Sequence, residues 1–228
     1  MKHIPEHLQA LVGQAVKRID TPALVIDLDA MDRNMERMAR FARQHGVLWR
    51  PHAKLHKSAH IAHLLEQAGA CGHCVQKVSE AEALAEGGVT HIFISNEVIA
   101  PLKLARVAAL AKALSAEGGR LAIAVDCEEG ITRLAKAMQD AQAGDAAIDV
   151  LVEINVGQNR CGVEPGTDAV LLINAIKPHA SLRFAGLQAY HGGAQHLRSA
   201  EERKAAIEQV LRLVNRTRHE CDHAMIRI

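Results

Sequence analysis

RPHAKLHK, residues 50–57, follows the apolar run Val47-Leu48-Trp49 and packs Arg50, His52, Lys54, His56 and Lys57 into eight positions. A run this basic needs a local reason, because the 228-residue chain carries a formal net charge of only +1. Alternation along a strand puts Arg50, His52 and Lys54 on one face. A lysine ending a buried strand can sit partly desolvated, which disfavours the ammonium form and frees a nucleophilic amine for Schiff-base chemistry. Repulsion from Arg50 and Lys57 would act the same way. The plainer reading is a lysine with a packed stem and a wet head. Either way a strand is needed here, and the flanking sequence says what sheet it would join.

Strand-like runs recur at 23–28 (ALVIDL), 47–54, 72–78, 91–98 (HIFISNEV), 120–127 (RLAIAVDC), 148–157 (IDVLVEINVG) and 182–192 (LRFAGLQAYHG). Helical patterns separate them. Met31, Met35, Met38 and Ala42 share one helix face; so do Leu104, Val107, Ala111 and Leu114, and Ile207, Val210, Leu211 and Val214. Ser79 with Glu82 and Ser199 with Glu202 have the spacing of capping boxes, and Gly46, Gly87-Gly88 and Gly118-Gly119 stand where helices should stop. Repeated βα units imply parallel strands covered by helices, hence a doubly wound sheet or a (β/α)8 barrel. No glycine-rich dinucleotide fingerprint follows the first strand. Polar residues gather instead at the C-terminal ends of several strands: Lys54, Gln76-Lys77, Ser95-Asn96-Glu97, Asp126, Asn155 and Gln188-Tyr190-His191. A barrel collects such ends around one mouth, so the expected fold class is α/β, of the TIM-barrel type.

Composition excludes several partners. Apolar residues make up 49% of the chain, enough for a sizeable core, whereas near-neutral charge and 2% aromatic residues argue against nucleic acid. No apolar run approaches the roughly 20 residues that span a bilayer, and the N-terminus lacks the order of a signal peptide, so the expected compartment is cytoplasm. Five scattered cysteines, an odd number, read as reduced thiols. Cys71-Gly72-His73-Cys74 continues as a strand rather than opening a helix, the wrong context for thioredoxin-like chemistry. His56, His60 and His63, with His52 before them, offer a metal-binding alternative, against which stands the reading of a polar helix face. Two loops carry further chemistry. Residues 155–163 (NVGQNRCGV) set one arginine, Arg160, among glycines, as an anion donor or a plain surface residue. Residues 186–192 (GLQAYHG) hold Tyr190, the sole tyrosine, beside His191.

RPHAKLHK, CVQKVSEAEAL, HIFISNEV, VLVEINVGQNRCGV and FAGLQAYHGGAQH, in this order across residues 20–222, resemble the D-threonine aldolase and D-serine dehydratase family. Its members are pyridoxal-phosphate enzymes with an alanine-racemase-like N-terminal barrel. The resemblance implies that Lys54 forms the Schiff base with pyridoxal 5'-phosphate, that Arg160 approaches the cofactor's phenolic oxygen, that Tyr190 lies near the pyridine ring and that Gln76 is a further neighbour. His52 and His56 match motif positions and are assigned catalytic roles in proton transfer or ordering.

The implied activity is that of a lyase acting on D-3-hydroxy amino acids, D-threonine aldolase-like, giving glycine and an aldehyde. The alternatives are a D-serine or D-3-hydroxyaspartate dehydratase-like, ammonia-releasing lyase and an inactive cofactor-binding remnant. The resemblance also divides the chain into an N-terminal segment with strand, 1–28, which would pair with a C-terminal β domain, and a partial barrel, 29–228. After Cys221-Asp222 the family continues into a glycine-rich phosphate-binding segment, where this sequence reads His223-Ala224-Met225-Ile226-Arg227-Ile228. The barrel is therefore expected to be incomplete at its C-terminal end, as in a C-terminally truncated chain. No metal ligand is assigned, because the family's divalent-metal ligands lie in that later region. Expected partners are a small-molecule D-amino acid, neither nucleic acid nor membrane, and a second copy as a homodimer.

Overall fold

The computed structural model describes residues 5–228. Five strands pair in parallel: β1 (His73–Val75), β2 (His91–Ile94), β3 (Arg120–Val125), β4 (Ile148–Glu153) and β5 (Leu182–Gln188). Their order in the sheet is β1-β2-β3-β4-β5. The basic stretch that opens the motif adds a sixth parallel segment beside β1. The Cys71 amide donates to Trp49 O (2.9 Å), Cys74 to Pro51 O (2.8 Å) and Ala53 to Cys74 O (2.7 Å), with an isolated bridge between His52 and Cys74. A doubly wound sheet reverses its order at a switch point, whereas here every connection steps to the next position. That uninterrupted order is the barrel's.

Helices cover one face: α3 (Ala59–Gln67), α4 (Val78–Glu86), α5 (Pro101–Ala116), α6 (Glu128–Asp140), α7 (Thr167–Ile176) and α8 (Ala200–His223), preceded by α2 (Leu28–Gln44) and one turn, α1 (Glu6–Gln9). Alternate strand residues Ile92, Ile94, Leu121, Ile123, Val150 and Val152 are buried in a core shared with Leu104, Val107, Leu134 and Ile173. On the other parity Ala122, Asp149 and Leu151 are only partly covered, whereas Phe93, Ala124 and Glu153 are buried. Accessible surface totals 14454 Å², against roughly 10,000 Å² for a compact monomer of this mass. Two features go with the excess: residues 5–29 are almost wholly exposed, and the sheet does not close, since among the described residues β5 pairs with β4 alone.

Three sequence expectations are corrected. Residues 23–27 are not a strand: Leu24, Val25 and Ile26 are exposed, and Leu28 already opens α2, capped by Asp27 Oδ1 accepting from Ala30 N (2.9 Å). An apolar run becomes a strand only beside a strand to pair with, and none of the described strands lies there. The run expected at 47–54 carries only the His52 bridge, and Ala53 and Lys54 already lie in a turn that closes with Lys57 N donating to Ala53 O (2.8 Å). The Ser79–Glu82 capping box does not form. Glu80 instead accepts from Gln76 N (2.9 Å) and Lys77 N (3.3 Å), and Glu82 pairs with Arg106 (2.8 Å) on α5. The Ser199–Glu202 box forms as expected, with Glu202 N donating to Ser199 Oγ (3.1 Å) and Ser199 N to Glu202 Oε2 (2.9 Å).

Candidate active site

Lys54, Gln76, Asp126, Arg160 and Tyr190 all follow the C-terminal ends of neighbouring parallel strands, so the fold brings them to one mouth. The two lysines of the basic stretch differ in their engagement. Lys57 forms an ion pair with Glu80, a carboxylate almost fully buried at the start of α4. Burial opposes ionisation of Glu80, but the Lys57 ammonium and the Gln76 and Lys77 amides outweigh it and hold the carboxyl below its usual range. Lys54 is exposed and joins no ion pair among the described residues. The expected desolvation of Lys54 is thus not supplied by the described chain; what distinguishes it from Lys57 is that no carboxylate holds it among the described residues.

His52 orients this segment. Its Nδ1 accepts from Lys54 N (3.3 Å), which leaves the proton on Nε2, and Nε2 faces Ser95 Oγ (3.2 Å), itself donating to Val75 O (3.1 Å). Burial first and then the neighbouring Lys54 charge hold His52 below its ordinary value, in the neutral form. Both ring nitrogens are occupied. His56 serves a different place: Nδ1 accepts from Ser58 N (3.1 Å) just before α3, and burial lowers its pKa. Nor do the histidines form a metal cluster among the described residues. His60 is exposed, and His63 binds Glu66 (3.0 Å) and Gly87 O (2.8 Å). Cys74 is pushed up to about 11 by burial and faces Arg50 O, so the CxxC pair is not poised for redox work.

The loop after β4 closes on itself. Asn155 N donates to Val163 O (2.8 Å) and Val163 N to Glu153 O (3.0 Å). Asn155 Oδ1 accepts from Gly157 N and Asn159 N, both at 3.2 Å, while Asp126 Oδ2 receives Gly162 N (3.1 Å). Gly162 is required there, because its φ is +94° and a Cβ would lie 2.7 Å from Asn155 N. This closed loop presents Arg160 with its guanidinium carbon 5.2 Å from the centroid of the Tyr190 ring, whose hydroxyl accepts from Gln195 (2.9 Å).

Sequence reasoning overlooked Glu80 and Glu153. A carboxylate inside the apolar run IDVLVE was the available signal for Glu153, which is 3% exposed at the end of β4. It accepts from Gln188 Nε2 on β5 and faces Glu97 across the mouth. Burial, then the Glu97 carboxyl, push its pKa up to about 8. Glu97, Asp126 and Cys161 also bring one ligand atom each within 4.8 Å of one another. Burial and the Glu97 carboxyl favour the Cys161 thiol over the thiolate, and Asp126 already holds Gly162, so we assign no metal there. A cavity of ≈ 740 Å³, lined by Gln139, Asp145 and His179, lies at the N-terminal ends of β4 and β5, opposite the mouth.

The sequence matches the family model of the alanine racemase N-terminal domain over residues 26–226. It is 42% identical over 201 residues to D-threonine aldolase of Arthrobacter sp, covering 88% of this chain and 51% of that protein. Against 3-hydroxy-D-aspartate aldolase of Paracoccus denitrificans (strain Pd 1222) it is 39% identical over 205 residues, 90% of this chain and 51% of the relative. The crystal structure of D-threonine aldolase from Filomicrobium marinum superposes with a TM-score of 0.85 at 46% identity, covering 91% of this chain and 54% of that one. The chain therefore spans about half the length of the relatives it matches.

Proposed function

The chain belongs to the alanine racemase N-terminal domain family, and from that premise we propose that it carries the cofactor-anchoring barrel of a pyridoxal-phosphate-dependent lyase for D-3-hydroxy amino acids. The reaction is the D-threonine aldolase type: the substrate hydroxyl loses its proton, the Cα–Cβ bond breaks, Cα gains a proton, and glycine and an aldehyde leave. In this reading residues 29–228 form the barrel and 1–28 a separate segment, which the exposure of Leu24, Val25 and Ile26 supports.

The observation that carries the reading is the division of labour between two amines. Glu80 neutralises Lys57 and leaves Lys54 as the unpaired amine of the basic stretch. Pyridoxal phosphate, when bound, supplies a carbonyl that captures amines and a ring that accepts the electron pair released at Cα. Lys54 supplies the amine. Arg160 offers guanidinium N–H groups to an anionic oxygen, and Tyr190, stacked beneath it, offers a flat face with its hydroxyl held by Gln195. His52 positions rather than shuttles, since its proton sits on Nε2 toward Ser95 and its Nδ1 lone pair fixes the Lys54 backbone. His56 orders the approach to α3, and Gln76 sits where its amide fastens to Glu80.

The test is titration of the purified chain with pyridoxal phosphate, followed by visible absorbance. A lysine-dependent band should appear in the parent and in Lys57→Ala and vanish in Lys54→Ala; a band that survives Lys54→Ala overturns the assignment. With D-threonine, glycine and acetaldehyde identify the aldolase, whereas ammonia and a keto acid identify a dehydratase.

A further inference from the structure

The carboxyls of Glu153 and Glu97 are in hydrogen-bond contact at the mouth of the barrel. Two carboxylates cannot hydrogen-bond each other, since both only accept. Glu97 Oε1 is fully buried and has no donor among the described residues, and Gln188 supplies Glu153 with one donor. A proton held between the two carboxyls would supply a donor to a pair short of donors and remove one of two like charges from a largely buried site. The charged and titratable groups around them are Asp126 after β3, and Arg160 and Cys161 in the loop after β4. Arg160 is the sole cation of this group.

We propose that Glu97 and Glu153 share a single proton, and that this proton keeps the Arg160 guanidinium over the Tyr190 ring, free to meet an anionic ligand oxygen. With the proton in place the pair presents one negative charge, too little to draw Arg160 away from the ring and from its ligand. Without it, two negative charges face Arg160, and the guanidinium collapses onto the carboxylates. Glu153 is thus a positioning residue that acts through Arg160. The nature of the ligand rests on the function proposed above; the proton and the position of Arg160 do not.

Tyr190 is the only tyrosine in the chain, so its ring resonances report on Arg160 without overlap. The chain labelled with ¹³C-tyrosine is titrated without cofactor, and infrared spectroscopy follows the protonated carboxyl stretch in parallel. In the parent a carboxyl should remain protonated at neutral pH, and the Tyr190 ring signals should move as it ionises near pH 8. Glu153→Gln, whose amide can donate to Glu97 permanently, should keep the neutral-pH ring positions and abolish the movement; Arg160→Gln should abolish the movement as well. The contribution of His191 is common to parent and Glu153→Gln and cancels in their comparison. Ring signals that do not respond near pH 8 in the parent, or that respond equally in Glu153→Gln, overturn the proposal, as does the lack of a protonated carboxyl at neutral pH in the parent. Cofactor affinity, measured last, should fall several-fold in the parent above that pH and stay level in Glu153→Gln. Failure to bind cofactor at any pH would overturn the lyase reading while leaving the spectroscopic result intact.

Discussion

The Arg160 guanidinium carbon stands 5.2 Å from the centroid of the Tyr190 ring, joining the loop after β4 to the segment after β5. Both residues are exposed, so the contact belongs at the modest end of cation–π energies, about 0.5–1 kcal/mol. A double-mutant cycle on stability with Arg160→Ala and Tyr190→Ala should return a coupling of that size. Tyr190→Phe keeps the ring and loses only the Gln195 hydrogen bond, so it should retain the coupling. Strict additivity of the two alanine variants would show that the stack contributes nothing in solution.

Glu80→Gln should make the two lysines of RPHAKLHK compete. The amide oxygen still accepts from the start of α4, but the charge that holds Lys57 is gone. Borohydride trapping of bound pyridoxal phosphate followed by peptide mapping should mark Lys54 in the parent and both lysines in the variant. The parent's stability should also fall on acidification. Glu80 titrates below its unfolded value, so its contribution is present above that value and lost as pH drops through the folded one. The acid loss should be smaller in Glu80→Gln, as read by urea unfolding.

Glu153 predicts the opposite slope. Its folded pKa is raised from 4.5 to about 8, so between these values the folded chain binds more protons than the unfolded one. This contribution is fully present below about 4.5 and is lost as pH rises to about 8. The slope reaches at most about 1.4 kcal/mol per pH unit. Unfolding midpoints of Glu153→Gln measured across that window should lack this decline; an equal decline in the variant would assign it to another group.

Thr217 fastens α8 to the start of α7. Its buried hydroxyl accepts from Gly166 N (2.9 Å) and donates to Leu213 O (3.0 Å). Thr217→Val preserves shape and strands the Gly166 amide, so a loss of about 1–3 kcal/mol is expected. Thr217→Ser keeps the hydroxyl and should recover most of it. Denaturant titration of both variants decides between lost polarity and lost packing.

The barrel was legible because its signal repeats. Each apolar run ends in polar residues, and the consecutive strand order bears out the reading that these ends meet. Lys54, Arg160 and Tyr190 were found as unusual residues at strand ends. What escaped depended on partners distant in sequence. Glu80 looked like one of several glutamates in SEAEALAE, and only the approach of Lys57, 23 positions earlier, singles it out. Glu153 looked like an ordinary strand residue until Glu97 and Gln188 were brought beside it. The 23–28 run failed for the converse reason: its pattern is that of a strand, but pairing needs a neighbour that local sequence does not specify.

The uninterrupted strand order also bears on how the molecule assembles. Paired strands are near in sequence: His73 meets Ile92, and the widest separation, Glu153 to Gln188, is 35 residues. Closing loops of that length costs little chain entropy, and each new βα unit docks on one already in place. Folding can therefore proceed in the order of synthesis, with the Lys54 end of the sheet in place before the ribosome has delivered Arg160.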